Sequence, residues 1–193
     1  MRALTPVLVL SVATLVACDR SASSEHVPGP SDDVAIFAAL LADECMHPGN
    51  APTPEIVLDV PADVVSEEMA SWKWQPPAEY IEYWARRSGS TMRWPKLAPC
   101  ANRRVAEKEK VDALLARDGK IPPSFEYFYA AFPNARGIAQ VSLPAYSADG
   151  RSAAVLRTFR HDIYASGADV VVLMRDASGW RPAQVHNVRL SIF

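Results

Sequence analysis

The stretch Val170-Val171-Val172-Leu173-Met174 decides the fold. A continuous apolar run of this kind is expected of a strand covered on both faces. Working outward, Asp176-Ala177-Ser178-Gly179 turns the chain, and Trp180 to Ile192 forms a last strand. Upstream, Ala153 to His161 is a strand, and Ile138 to Leu143 is another, joined by the hairpin signal Ala148-Asp149-Gly150. Pro144 cannot donate to a ladder, so it belongs at an edge or a bulge. The four strands follow one another in sequence order, which predicts an antiparallel four-stranded meander.

The N-terminal half is helical in pattern. Ser31-Asp32-Asp33 offers a helix N-cap and acidic first-turn residues. Val34, Phe37, Leu40 and Leu41 follow at helical spacing, and the helix is expected to run to about Cys45, before Pro48-Gly49. Glu55 to Val60 reads as a strand between Pro54 and Pro61. Pro77 to Arg87 is helical with a broad aromatic face, Arg103 to Arg117 is expected as one charged helix, and a short helix spans Ser124 to Phe132. The fold class expected is α+β, with the N-terminal helices packed on one face of the C-terminal meander. No internal repeat is visible.

The chain has 20 basic and 22 acidic residues. A nucleic-acid-binding face would need a clustered basic excess, and none is present, so no nucleic-acid partner is expected. The charge is uneven: residues 136–193 carry seven arginines against four acids. Charged strand edges that resist edge-to-edge pairing account for this pattern; an anionic partner is the alternative. Sixteen prolines against eight glycines fit a folded domain with rigid connections. The length fits one domain.

Met1-Arg2 opens the chain with positive charge, and an apolar stretch from Ala3 ends in Leu15-Val16-Ala17-Cys18. The segment has the plan of a secretory signal, and it is shorter than the roughly 20 apolar residues of a membrane-spanning helix. Its last four residues resemble the lipobox of bacterial lipoproteins. That resemblance implies cleavage before Cys18 and a diacylglyceryl group on the Cys18 thiol. Two acyl chains suffice for stable membrane attachment. The implied address is the periplasmic side of a bacterial membrane. Asp19, following the lipidated position, resembles the inner-membrane retention signal of enteric lipoproteins, and the choice between inner and outer membrane stays open. The expected division is therefore a signal peptide over 1–17, a flexible Ser/Pro/Gly-rich tether over 18–33, and a single domain over 34–193.

A second resemblance rests on Phe128 to Gly137, Ser142 to Gly150, Ala153-Ala154-Val155 and Ser178-Gly179-Trp180. Together with Ile36 to Leu41 and Ile56-Val57-Leu58, these look like a loose group of uncharacterised exported bacterial proteins with a C-terminal β-meander. The group brings no catalytic residues to carry over.

Three constellations are candidates for chemistry. Cys45 and Cys100 remain once Cys18 is acylated, and an oxidising compartment favours a disulfide between them. Such a bridge contributes about 4 kcal/mol on the chain-entropy argument; two separate buried thiols are the alternative. Asp43-Glu44-Cys45-Met46-His47 holds soft ligands, but zinc sites need four ligands at closer spacing, so no metal or other cofactor is expected. His161-Asp162 and His186 lie on neighbouring predicted strands, yet no nucleophile accompanies them, and they read as strand-end residues. Trp72, Trp74, Tyr80 and Trp84 crowd into a short segment. They are candidates for a peptide- or glycan-binding groove, against the ordinary use of aromatics as core. The function expected is a non-enzymatic binding or envelope-associated module, with the membrane as one partner and a protein or envelope polymer as another. A periplasmic hydrolase-like enzyme with a cleft between helices and sheet is the alternative.

Overall fold

The computed structural model describes residues 28–46, 55–64, 69–96, 103–120, 124–161 and 165–192. The elements run α1 (Pro30–Met46), β1 (Glu55–Leu58), α2 (Ala78–Arg87), β2 (Arg103–Ala106), α3 (Lys108–Leu115), α4 (Glu126–Ala131), β3 (Gly137–Val141), β4 (Ala145–Tyr146), β5 (Ser152–Arg160), β6 (Ala165–Asp176) and β7 (Gly179–Ile192). Helices and strands are mixed, and strands dominate the C-terminal half.

The expected meander is present but is not the whole sheet. Strands β3, β5, β6 and β7 are antiparallel neighbours, with Val155 opposite Val171 and Val171 opposite Val185. Val170, Val171 and Leu173 are almost fully buried, and they divide between clusters on the two faces, as the apolar run requires. The correction lies at the other edge. The sheet has seven strands in the order β2-β1-β3-β5-β6-β7, with β4 paired to β5, and β1 lies parallel to both β3 and β2. The four-stranded, all-antiparallel reading is therefore too small. Ile56 and Leu58 face one cluster and Val57 another, so β1 is buried on both sides as an interior parallel strand must be. Helices consequently cover both faces rather than one.

Two further readings are corrected by tertiary contacts. Arg103 to Arg117 is not one helix: residues 103–106 pair with β1, and the helix starts only at Lys108. Glu55 and Arg103 sit opposite one another and form an ion pair at 2.9 Å, which favours the strand. Buried Asp59 accepts the Lys108 backbone N–H at 2.9 Å and so caps the new helix end. The strand from Ile138 to Leu143 breaks around Pro144. The pairing with β5 shifts by one residue between Val141↔Arg157 and Ala145↔Ala154, and this is the bulge that a proline demands. Gly150, at φ 65°, completes the hairpin that follows.

The expected tether ends earlier than residue 33, because α1 begins at Pro30 and its first turn is anchored. Asp33 is 1 % exposed. Its carboxylate accepts two N–H bonds from Arg87, at 2.9 and 2.5 Å, and the Tyr146 hydroxyl at 2.9 Å. Asp32 accepts from the Trp180 indole at 3.3 Å and lies 3.5 Å from Arg175. From this anchor, Ile36, Phe37, Leu40 and Leu41 extend over Val57, Ala139, Val155 and Val171. Phe37 stacks on Trp94 with centroids 4.4 Å apart.

Removing one partner of a buried ion pair leaves the other uncompensated. Asp33→Asn is expected to cost about 2–4 kcal/mol in urea unfolding, toward the low end because Arg87 keeps some solvent contact. Burial, reinforced by the adjacent Asp33 carboxylate, raises the Tyr146 phenol above its ordinary value of 10.0. The folded state thus holds this proton more tightly than the unfolded state. Its stabilisation is complete below pH 10 and is lost as pH climbs from there toward the folded value. Unfolding midpoints measured from pH 8 to 11 should fall at the alkaline end, and less steeply in Tyr146→Phe.

Candidate binding pocket

Strand alternation gives the two faces of the sheet different fates. The α1 face is continuous core. The opposite face carries two separate clusters. One gathers Val111, Leu115, Phe125 and Phe128 of the α3–α4 region over Ile56, Leu58 and Ile138. The other gathers Trp72, Tyr80 and Trp84 over Ala154, Leu156, Ala168 and Val170. Between them lies a pocket of about 430 Å³, within the size range of small-molecule sites.

The pocket follows from a change of character along β5. Ala154 and Leu156 continue the apolar face, but Thr158 and Arg160 replace it with polar groups at the next same-face positions. Thr158 pairs with Gln140 on β3, and Arg160 pairs with Ser166 on β6, so the polar positions meet across three strands. Leu58, Ile138, Leu156 and Trp72 supply apolar walls, and Lys108 and Asp112 of α3 also line the pocket. Gly167 sits opposite Phe159, whose ring would lie 2.3 Å from a Cβ at position 167, so only glycine admits the ring there.

The polar groups are mostly donors. The Arg160 guanidinium carbon stands 5.1 Å from the Phe125 ring centroid, a cation–π contact. Among the described residues no acceptor lies within hydrogen-bond distance of the Arg160 side chain, and burial pushes its pKa down, partly offset by the Asp112 carboxylate. The Thr158 and Ser166 hydroxyls likewise have no partner among the described residues. Gln140 uses its amide N–H groups on the Val60 and Pro61 carbonyls. Lys108 is ion-paired to Asp112 one helical turn on. Among the described residues the lining contains no histidine and no cysteine. Such an arrangement can hold and orient an acceptor-rich group.

The residues singled out from the sequence fall mostly elsewhere. Trp72, Tyr80 and Trp84 are each at most 5 % exposed and belong to one core cluster, so the four rings do not form an open groove. Trp84 donates to the Leu143 carbonyl at 2.9 Å, and Tyr80 bonds Ser152 at 2.7 Å. Trp72 alone of the four reaches the pocket, through its wall. Trp74 is half-buried and stacks on His186 at 4.5 Å. His161 Nδ1 lies 3.0 Å from the Arg136 carbonyl, while Asp162 lies outside the described residues. Neither histidine lines the pocket. Cys45 is half-buried in the last turn of α1 and is not a free side chain; Cys100 and Cys18 lie outside the described residues. Among the described residues no group of three or more His, Cys, Asp or Glu is placed to hold a metal. Arg157, Arg175 and Arg181 of the basic C-terminal part are each matched to a carboxylate. Arg160 was not distinguished from them by composition. The switch from apolar to polar along one face of β5 was the available signal.

Burial separates the aromatic residues energetically. Trp84→Ala should cost about 3–5 kcal/mol in denaturant unfolding, whereas Trp74→Ala at its half-exposed stack should cost about 1 kcal/mol.

Comparison with protein-family models, with curated proteins and with solved structures found no match.

Proposed function

We propose that this chain is a lipid-anchored binding module on the periplasmic side of a bacterial membrane, and that the pocket between the two apolar clusters takes its small-molecule ligand. The pocket carries the binding part of this reading: donors of Arg160, Thr158 and Ser166 gather beside apolar walls with no protein acceptor for them among the described residues. These three side chains are half-buried at the pocket, so their unused donors are open to a ligand that supplies acceptors. The anchor rests on the Leu15-Val16-Ala17-Cys18 lipobox. Among the described residues no helix is long and apolar enough to cross a membrane, and an acylated Cys18 requires none. The same oxidising compartment supports a Cys45–Cys100 bridge. Unpaired donors beside apolar walls support binding over the hydrolase alternative.

Mass spectrometry of the protein purified from its own membranes should find Cys18 as the first residue, carrying a diacylglyceryl group, with Cys45 and Cys100 joined. Cys18→Ala should leave the membrane fraction. A mature N-terminus elsewhere, or membrane retention of Cys18→Ala, would overturn the anchor. A folded Ser166→Trp variant, which fills the pocket, should lose any co-purifying small molecule seen with the native protein.

A further inference from the structure

The pocket's groups define a class of ligand. Lys108 and Arg160 against Asp112 leave one positive charge in excess. That charge resides on Arg160, because Lys108 and Asp112 are already paired. The Arg160 guanidinium carbon stands 5.1 Å from the Phe125 ring centroid, and a guanidinium without a protein acceptor offers its N–H fork to a carboxylate. The cation–π contact with Phe125 restrains Arg160, which lowers the ordering cost of binding. Thr158 and Ser166 stand next to Arg160 on the same polar strip and add neutral donors. Across the strip, Leu58, Ile138, Leu156 and Trp72 present apolar surface. A fully polar anion would leave that surface wet, and a neutral apolar molecule would leave the Arg160 donors unmet.

We infer that the pocket selects small organic monoanions that carry one carboxylate on an apolar body, with Arg160 as the group that recognises the carboxylate. This rests on the reading of the pocket as the ligand site and narrows it to one chemistry. Orientation follows from the walls: the carboxylate lies at the Arg160–Thr158–Ser166 end, and the apolar body lies toward Leu156 and Trp72. The single excess charge favours a monoanion over a dianionic phosphate. Trp72 in the wall offers an intrinsic reporter, since a body packed there changes the surroundings of its indole.

The probe is phenylacetate, titrated into the purified full chain by calorimetry at low salt, beside 2-phenylethanol and phenethylamine as neutral and cationic counterparts of similar shape. Phenylacetate should bind about tenfold or more tightly than either counterpart, which is the worth of a charge-assisted hydrogen bond. Arg160→Met should lose about that factor, and Arg160→Lys should recover part of it. Thr158→Val should weaken phenylacetate several-fold, and it provides a second measure should Arg160→Met fail to fold. Equal or tighter binding of the alcohol or the amine would overturn the anion inference while leaving the pocket as a ligand site. Unchanged phenylacetate affinity in both Arg160→Met and Thr158→Val would do the same. Absence of binding by all three probes at millimolar concentration would overturn the pocket reading and the inference together.

Discussion

The carboxylate of Asp33 is the point on which the rest of the structure depends. It is nearly inaccessible, and it is charged against Arg87 of α2 and hydrogen-bonded to Tyr146 of β4. Asp32 beside it reaches Trp180 of β7 and Arg175 of β6. One helical turn therefore fixes α1 to elements far apart in sequence. A buried carboxylate is tolerated only where its pairing is complete, so the network admits one placement of α1. That placement lays the apolar stripe of α1 along one face of the sheet and closes it. The opposite face is then left to α3 and α4 on one side and to α2 with the Trp72 segment before it on the other, which cover it in two separate patches.

The gap between those patches persists because its floor is polar. Two apolar patches separated by apolar residues would gain by merging, since each buried Å² contributes about 25 cal/mol. Here a merger would bury Arg160, Thr158 and Ser166 without acceptors, and each unmet donor costs about 1–3 kcal/mol. The polar strip works against closure for the same reason that it can recognise a ligand. Phe125 belongs to both arrangements, packing on Phe128 in its cluster and holding the Arg160 guanidinium at the pocket.

Much of this architecture was legible in the sequence, and the omissions have physical causes. Val170 to Leu173 announced a strand with two covered faces, and Pro144 announced an edge or a bulge; both signals are local, and the structure shows the covered strand and a bulge. Arg103-Arg104-Val105-Ala106 has the charge pattern of a helix. It is a strand only because β1 offers a parallel edge and Glu55 pairs with Arg103, contacts from about fifty residues away. The Asp59 cap on α3 is equally non-local. The aromatic segment could not reveal from composition whether its rings were core or groove, because both use the same side chains; burial decides for the core at Trp72, Tyr80 and Trp84. The pocket was partly legible. Residues 154, 156, 158 and 160 lie on one face, and their change from apolar to polar was visible, but its meaning required knowing that Gln140 and Ser166 stand opposite. Lys108 and Asp112 have the i, i+4 spacing of any helix ion pair, and only the sheet places them at the pocket.

The central claim is that one face of the sheet is kept in two patches with an open polar strip between them. A crystal structure of the protein purified from its own cells, at a resolution that shows ordered solvent, tests it most directly. The account predicts Arg160 lying over Phe125, the pocket open, and density for water or an anion in contact with the Arg160 guanidinium. A closed face, with the two patches in contact and Arg160 turned onto Asp112, would contradict it.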